Sequence, residues 1–219
     1  ELAMYSYDLR GNLHYTLDEK DSSASTAAQN LFQLHSRELS AAADQIDCAR
    51  LEDAADAMSS ASCVYIFGNL YSGLIASAFQ ARLKSIGIPC FLSWDKHSGQ
   101  QDILTLGDGG VFLAITMSGF SKDTVHLART AKEKGNTVIA LTTCGVSPIV
   151  ETCSIPLVVP LSSHSLMESR FSADILFQDV LNLLFILLDE RQNPECRKRY
   201  ENFFAELIHD AAMGITDET

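Results

Sequence analysis

Three hydroxyl side chains and a glycine stand close together in the middle of the chain, at Thr116, Ser118, Ser121 and Gly119. They follow an apolar, β-branched run that starts at Val111, and they precede a helical pattern. The N–H groups of a helix N-terminus have no partner within the helix and can bind an anion. The hydroxyls would add neutral hydrogen-bond donors, and Gly119 would permit close approach because it lacks a Cβ. This stretch therefore predicts a site for phosphate or another anion.

A second loop with glycine and serine, residues 68–73 (GNLYSG), follows an earlier apolar run at 63–67. It resembles a dinucleotide-binding fingerprint only loosely, because the third glycine and the acidic residue after the second strand are missing. Two interpretations stay open on the residues alone. The loop is either a tight strand-to-helix turn in which Ser72 caps the helix, or such a turn that also binds a ligand.

Short apolar runs alternate with helical patterns, which predicts right-handed crossovers and a parallel sheet. Because these runs are apolar throughout, helices should cover both faces and complete a three-layer αβα sandwich. An α/β sheet of five strands most often takes the flavodoxin-like order 2-1-3-4-5, with a switch point between strands one and three. Ligands bind beyond the carboxyl ends of the strands there, so the two loops should line one crevice. The predicted strands are 63–67, 89–92, 111–116, 137–141 and 155–159.

Helical periodicity predicts helices that flank this sheet. One long and one shorter amphipathic helix are expected between Ser25 and Met58. The helix at 174–190 is apolar nearly all round and needs cover on every side, which favours a homodimer interface. The remaining predicted helices are 72–86, 100–106, 122–134, 147–152 and 194 to about 212.

The composition is that of an ordinary globular protein, with 47% hydrophobic and 20% charged residues. The 28 acidic and 16 basic residues of this 219-residue chain give a net charge of −12, which disfavours binding of DNA or RNA by this chain alone. Its six cysteines form no CxxC pair and no zinc-site spacing with histidine, so neither a metal nor a cofactor is expected. No signal-peptide pattern is present, and no apolar run reaches the roughly 20 residues that span a bilayer. A reduced, cytoplasmic protein without membrane contact is expected.

Polar residues also follow other predicted strands. Thr142 ends the fourth strand at the same edge, where it would reach the crevice. His97 and His164 lie in loops after strands and are candidates for ligand contact. Glu168 is a candidate for proton transfer, although a glutamate at a helix N-terminus already has an electrostatic reason to be there.

Several motifs, in this order, resemble the sugar isomerase (SIS) domain family. The first loop carries Gly68 and Ser72 where family members typically read GxGxS. Residues 116–121 (TMSGFS) match SxSGxT with the two end hydroxyls exchanged but kept, and a later T-x-x-x-x-S-P ends at Pro148. The match covers roughly residues 50–190. It implies a five-stranded parallel αβα sandwich, usually dimeric, that binds phosphosugars.

The resemblance also implies roles for individual residues. Thr116, Ser118 and Ser121 would hold the phosphate, and Ser72 would lie near the sugar. A phosphorylated sugar is the expected ligand, and no catalytic residue is assigned. The expected ligand-binding residues are Gly68, Asn69, Ser72, Thr116, Met117, Ser118, Ser121 and Thr142, with His97, His164 and Glu168 as further candidates.

Two positions depart from the family pattern. Leu70 stands where the family prefers glycine, so the first loop would approach the ligand less closely. Phe120 replaces the usual glutamate, which removes a charge beside the phosphate loop and would reshape sugar selectivity.

The helices before and after the domain are similar to those of RpiR-type transcription regulators. Those proteins carry a helix-turn-helix domain, a linker helix and then an SIS domain. The resemblance implies a linker and helical segment at 1–49, an SIS domain at 50–190 and a C-terminal helix at 191–219 packed on it. It implies a homodimer or higher homo-oligomer, with DNA bound only through a helix-turn-helix domain that this chain lacks.

Three functions follow from these features. The first is a phosphosugar-sensing effector domain of a regulator of carbohydrate metabolism. The alternative is an aldose–ketose phosphosugar isomerase, which would need a base to move a proton between carbons and an acid to open the ring. No convincing acid–base pair is evident in the sequence, which favours the sensor over an enzyme. The third is an SIS-like domain that has lost ligand binding.

Overall fold

Five strands form one all-parallel sheet in the computed structural model, which describes residues 23–105, 108–159, 161, 166–192 and 194–216. The strands are β1 (Val64–Gly68), β2 (Cys90–Ser93), β3 (Val111–Ile115), β4 (Thr137–Thr142) and β5 (Ile155–Val158). Their order is β2-β1-β3-β4-β5, which confirms the predicted flavodoxin-like topology. β1 and β3 are therefore neighbours, with Gly68 paired to Ile115 at the carboxyl ends.

Eight helices accompany the sheet in the described part of the chain. They are α1 (Ala24–Gln45), α2 (Cys48–Ser60), α3 (Tyr71–Ser85), α4 (Lys96–Thr105), α5 (Lys122–Glu133), α6 (Pro148–Thr152), α7 (Leu166–Arg191) and α8 (Pro194–Thr216). The predicted long and shorter helices before the sheet are α1 and α2. Side-chain oxygens of Ser23 and Asp47 cap them by accepting bonds from backbone N–H groups in the first turn.

Alternate residues of each central strand face opposite sides of the sheet. Ile66 and Leu113 pack on the side that α2, α3 and α7 cover. Phe67 and Phe112 pack on the other side, against α4, α5 and α6. Every residue of β1 and β3 is buried, as expected for strands covered on both faces. The three-layer sandwich is thereby confirmed.

Two helices begin at least four residues earlier than predicted. α4 begins at Lys96 rather than at residue 100, because the Asp95 carboxylate accepts bonds from the backbone N–H groups of His97 (2.8 Å) and Ser98 (3.0 Å) and so closes a turn. The Ser98 hydroxyl donates to the same carboxylate, and this bond is the main reason why the pKa of Asp95 lies below its ordinary value. α7 begins at Leu166 rather than at 174, since residues of good helix propensity extend it upstream of the apolar run.

Three cysteines, Cys63, Cys90 and Cys144, are buried, where a free thiol packs as a small hydrophobe. Burial raises the pKa of the Cys63 thiol and raises that of Cys90 to about 11, so both stay protonated at neutral pH.

The outer face of α7 is only partly covered. Leu181, Leu184 and Leu188 are buried in the core, whereas Leu183 and Ile186 are 43% and 53% exposed. Within the described ranges, no helix combines the length and apolar character needed to cross a membrane. The described part of the chain leaves this stripe on α7, with Leu183 and Ile186, exposed.

The last helix joins the domain at two places in the described structure. α8 packs against α3, and Arg197 Nη1 lies 2.9 Å from Asp189 Oδ2 near the end of α7. The predicted segment boundaries at residues 49 and 190 stay predictions.

Candidate functional site

The two predicted ligand loops meet at the carboxyl edge of the sheet. The first follows β1 and the second follows β3, and these two strands pair directly. The Asn69 side-chain amide donates to Ser121 Oγ at 3.1 Å, across 52 residues of sequence. This hydrogen bond ties the two loops together, so their polar groups line one crevice at the predicted switch point.

Ser121 caps α5. Its Oγ accepts bonds from the Thr124 backbone N–H (3.5 Å), the Thr124 hydroxyl (2.9 Å) and Asn69. Ser121 is the acceptor in each of these bonds within the described chain, so its own hydroxyl hydrogen can be donated outward. An anion at the N-terminus of α5 would accept that hydrogen.

Ser118 and Thr116 occupy different depths in the second loop. Ser118 is half-buried, and its Oγ accepts a bond from the Phe120 backbone N–H at 3.3 Å, which again leaves the hydroxyl as a donor. Thr116 is only 6% exposed, and its backbone N–H donates to the Leu141 carbonyl at 3.0 Å. The loop therefore offers Ser118 and Ser121 at its surface, with Thr116 beneath them.

Thr142 supports the second loop from below. Its hydroxyl donates to the Met117 carbonyl at 3.0 Å and accepts from the Cys144 backbone N–H at 3.3 Å. Thr143 adds two donors to the same carbonyl, its hydroxyl at 2.9 Å and its backbone N–H at 3.1 Å. Because Thr142 is fully buried, its role in this structure is to hold the loop. A direct contact between Thr142 and a ligand stays a prediction.

Gly119 is required for a different reason from the one predicted. Its φ is +73°, a conformation that disfavours L side chains. A Cβ at this position would lie 2.3 Å from Ser147 Oγ and 2.7 Å from Ser147 Cβ. The space beside Gly119 is thus filled by buried Ser147 rather than kept open for a ligand. Ser147 belongs to the Ser-Pro motif, and sequence analysis did not assign it this packing role.

The first loop does not contain the predicted helix cap. Ser72 lies in the first turn of α3, and the capping position is held by Leu70, which makes no side-chain capping bond. Leu70 has φ 53° and ψ −121°, a strained conformation for a residue other than glycine. Gly68 and Gly73 let the helix start directly against the strand, since a Cβ on Gly68 would lie 2.7 Å from the Ser72 carbonyl group.

The remaining candidates are less closely tied to the crevice. His97 lies in α4, not in a loop, and its ring is exposed. His164 lies outside the described residues, as does the side chain of Glu168. An ion pair that sequence analysis did not predict stands nearby: Lys96 Nζ is 3.9 Å from Asp123 Oδ1, in the first turn of α5.

The assembled site can bind an anion with neutral donors. It presents the hydroxyls of Ser118 and Ser121, and the backbone N–H groups of the exposed residues Lys122 and Asp123 at the start of the 12-residue helix α5. Asp123 opposes an incoming anion, and the nearby Lys96 offsets its charge.

The family model of the SIS domain matches residues 57–186. The chain belongs to the SIS domain family. The match covers more than half of the chain and includes all five strands and both site loops, so the predicted resemblance is confirmed.

Regulators are found among the relatives of this SIS domain. An uncharacterized HTH-type transcriptional regulator of Caldanaerobacter subterraneus subsp. tengcongensis is 29% identical over 157 residues, which cover 72% of this chain and 56% of the relative. This SIS chain thus spans about half the length of the curated relatives it matches.

Solved structures share the fold at low identity. Vibrio vulnificus NanR complexed with ManNAc-6P has a TM-score of 0.75 at 22% identity, covering 84% of this chain and 69% of NanR. The sugar isomerase domain of an RpiR transcription factor from Sphaerobacter thermophilus has a TM-score of 0.71 at 22% identity, covering 82% and 98%. A Methanococcus jannaschii protein, whose structure infers a 3-hexulose-6-phosphate isomerase, has a TM-score of 0.58 at 17% identity, covering 80% and 96%. The SIS fold is therefore shared by regulators and by proteins interpreted as isomerases.

Replacing Gly119 with alanine should lower the free energy of unfolding by roughly 2–4 kcal/mol. The alanine would have to keep the positive backbone φ, which disfavours L residues, and its Cβ would overlap Ser147. Gly145→Ala is the matched control in the neighbouring loop, where the nearest atom to a Cβ is 3.7 Å away. Urea unfolding of both variants measures the difference. Equal stability of the two variants would contradict the close packing of Gly119 on Ser147.

Replacing Leu70 with glycine should raise the free energy of unfolding by about 1 kcal/mol, because relief of the φ strain exceeds the added entropy of the unfolded chain. Leu70→Ala keeps the strain and should leave stability nearly unchanged. Thermal and urea unfolding of the pair separate the backbone effect from the loss of the side chain. A stabilised alanine variant or a destabilised glycine variant would refute the strain at Leu70.

Proposed function

We propose that this SIS domain senses a phosphorylated sugar as the effector domain of a transcription regulator of carbohydrate metabolism. The observation that carries the proposal is the hydroxyl-lined N-terminus of α5, joined to the first loop by the bond from Asn69 to Ser121. NanR, which shares the fold, has been solved with a phosphorylated sugar, and this supports the choice of ligand class. Such a regulator works in the cytoplasm, where DNA and phosphorylated sugars meet.

The phosphoryl group would sit at the start of α5. Ser118 and Ser121 would donate their hydroxyl hydrogens to it, and backbone N–H groups of the first turn would add further bonds. The sugar would extend toward residues 69–72 across the crevice. Since the donors are neutral, binding would depend on geometry more than on net charge, which suits a domain whose chain carries −12.

A route from the site to distant surfaces exists within the fold. The first loop leads directly into α3, which packs against α7. Arg82 of α3 also lies 5.8 Å from the centre of the Phe185 ring on α7. A ligand that draws the two loops together would favour one position of α3, and α7 would follow it. The attached DNA-binding domains of a regulator would then change their relative placement.

The isomerase alternative requires an acid and a base beside the sugar. Among His97, His164 and Glu168, the structure describes the side chain of His97, which lies exposed on α4. This position supports the sensor over the isomerase. It agrees with the HTH-type regulators among the sequence relatives.

Ser118→Ala should weaken the binding of hexose 6-phosphates about tenfold, since one hydrogen bond to a charged group is lost. Ser85→Ala, which removes a hydroxyl that donates to the Arg82 carbonyl at the end of α3, is the matched control. Calorimetric titration against a panel of hexose and amino-sugar phosphates measures affinity, and an isomerisation assay follows for each compound that binds. Turnover would defeat the sensor proposal, and a panel without any binder would defeat ligand binding altogether.

We also propose that the domain forms a homodimer through α1 and α7. An apolar groove of about 350 Å³ lies between these helices. Its walls include Leu39 and Ile46 from α1, and Leu183 and Ile186 from α7. A second copy of this face would cover the exposed side chains of α7. The apolar sequence of this helix predicts that it is covered on every side.

Ile186→Glu should shift the mass in solution from two chains to one at micromolar concentration, because it places a charge in the apolar interface. Leu104→Glu on α4 is the matched control, since Leu104 and Ile186 are both 53% exposed. Sedimentation equilibrium distinguishes the two. A single-chain mass for the unmodified protein would contradict the proposed dimer.

A further inference from the structure

Exposed apolar side chains surround the candidate phosphosugar site. Four strands that are neighbours in the sheet, β2, β1, β3 and β4, are each followed by a loop or turn with one such residue. They are Trp94 (55% exposed), Leu70 (87%), Phe120 (48%) and Val146 (85%). All four follow the carboxyl ends of their strands, so they share the edge that carries the site.

Two of these residues are sequence neighbours of the groups that join the site loops. Leu70 follows Asn69 and Phe120 precedes Ser121, so the two apolar residues flank the hydrogen bond that joins the loops. Phe120 is also adjacent to Ser118, whose Oγ accepts its backbone N–H at 3.3 Å. An apolar residue from each loop therefore stands next to the hydroxyls proposed to hold phosphate.

The outer two residues border the same region. The Trp94 ring lies 3.1 Å from the position that a Cβ on Gly73 would take, which places the indole against the first turn of α3. Val146 precedes Ser147, which fills the space beside Gly119 in the second loop. The apolar border thus continues on both sides of the central pair.

The backbone of Leu70 gives a second reason to assign it a role in binding. Its φ of 53° costs free energy that glycine would avoid, and its side chain is 87% exposed, so the core gains nothing from it. Strain that persists without a packing benefit is characteristic of binding sites. Leu70 therefore carries a large apolar side chain at a position where the backbone conformation favours glycine.

We propose that Leu70 and Phe120 form an apolar subsite that selects phosphorylated sugars whose ring carries an apolar substituent such as an N-acyl group. The inference rests on the proposed function, because phosphate bound at Ser118 and Ser121 is what places the sugar beside these two residues. A sugar ring that carries only hydroxyl groups would bury little apolar surface against Leu70 and Phe120. An acyl methyl group would be removed from water between the two side chains.

A ligand subsite fits these residues better than a protein interface. Leu70 and Phe120 lie within one residue of the bond between the site loops, so a protein covering them would also cover the hydroxyls. The groove between α1 and α7 already provides a separate apolar face for a second copy.

Calorimetry with matched sugar pairs tests the subsite. One pair is N-acetylglucosamine 6-phosphate and glucose 6-phosphate, and the other is N-acetylmannosamine 6-phosphate and mannose 6-phosphate. In at least one pair the N-acetyl compound should bind about tenfold tighter to the unmodified chain. Leu70→Ala and Phe120→Ala should each reduce that ratio at least about threefold and leave the plain sugar phosphate nearly unaffected. Phe32→Ala, at a 72%-exposed position on α1, is the control and should keep the full ratio.

The outcomes separate this inference from the function on which it rests. Equal affinities within both pairs would overturn the subsite and leave phosphosugar sensing intact. Failure of all four compounds to bind, with Ser118→Ala indistinguishable from the unmodified chain, would overturn both. If the alanine variants change the mass in sedimentation but not the ratio of affinities, these residues serve a protein interface and the subsite is refuted.

Discussion

The hydrogen bond from Asn69 to Ser121 is the interaction on which the site depends. Parallel pairing of β1 with β3 brings the ends of two distant chain segments side by side, but it does not fix the loops that follow. The amide of one loop fixes them by bonding the hydroxyl that caps the helix of the other. Ser121 thereby takes part both in starting α5 and in joining the loops, while keeping a hydrogen to donate.

The second loop is held in place by hydrogen bonds and by side-chain packing within the protein. The Met117 carbonyl accepts three bonds from Thr142 and Thr143, and Gly119 packs directly on Ser147. Such support keeps the donors in place before a ligand arrives, so little ordering remains to oppose binding. The proposed site would use backbone N–H groups and neutral hydroxyls, an arrangement suited to reversible sensing of an anion by an acidic domain.

Much of the fold could be predicted because the spacing of apolar residues along a strand or helix follows which of its faces are buried. Apolar runs such as Val111–Ile115 predicted the strands, and their alternation with helices predicted the order of the sheet. The start of α4 and the conformation of Leu70 could not be predicted in this way, since both depend on local turn geometry rather than on period. The contact between Gly119 and Ser147 joins two loops, and neither loop contains a signal for it. Sequence reasoning assigned the glycine to the ligand because the ligand was the only neighbour it could infer.

The central claim is that anions bind at the N-terminus of α5 between the two loops. Its most direct test is a titration of the protein with inorganic phosphate, followed through the backbone amide resonances by NMR. The largest shift changes are expected at Ser118 to Thr124 and at Asn69, and Ser118→Ala should need about tenfold more phosphate to reach saturation. Saturating changes centred on another surface, or none at these amides, would contradict it.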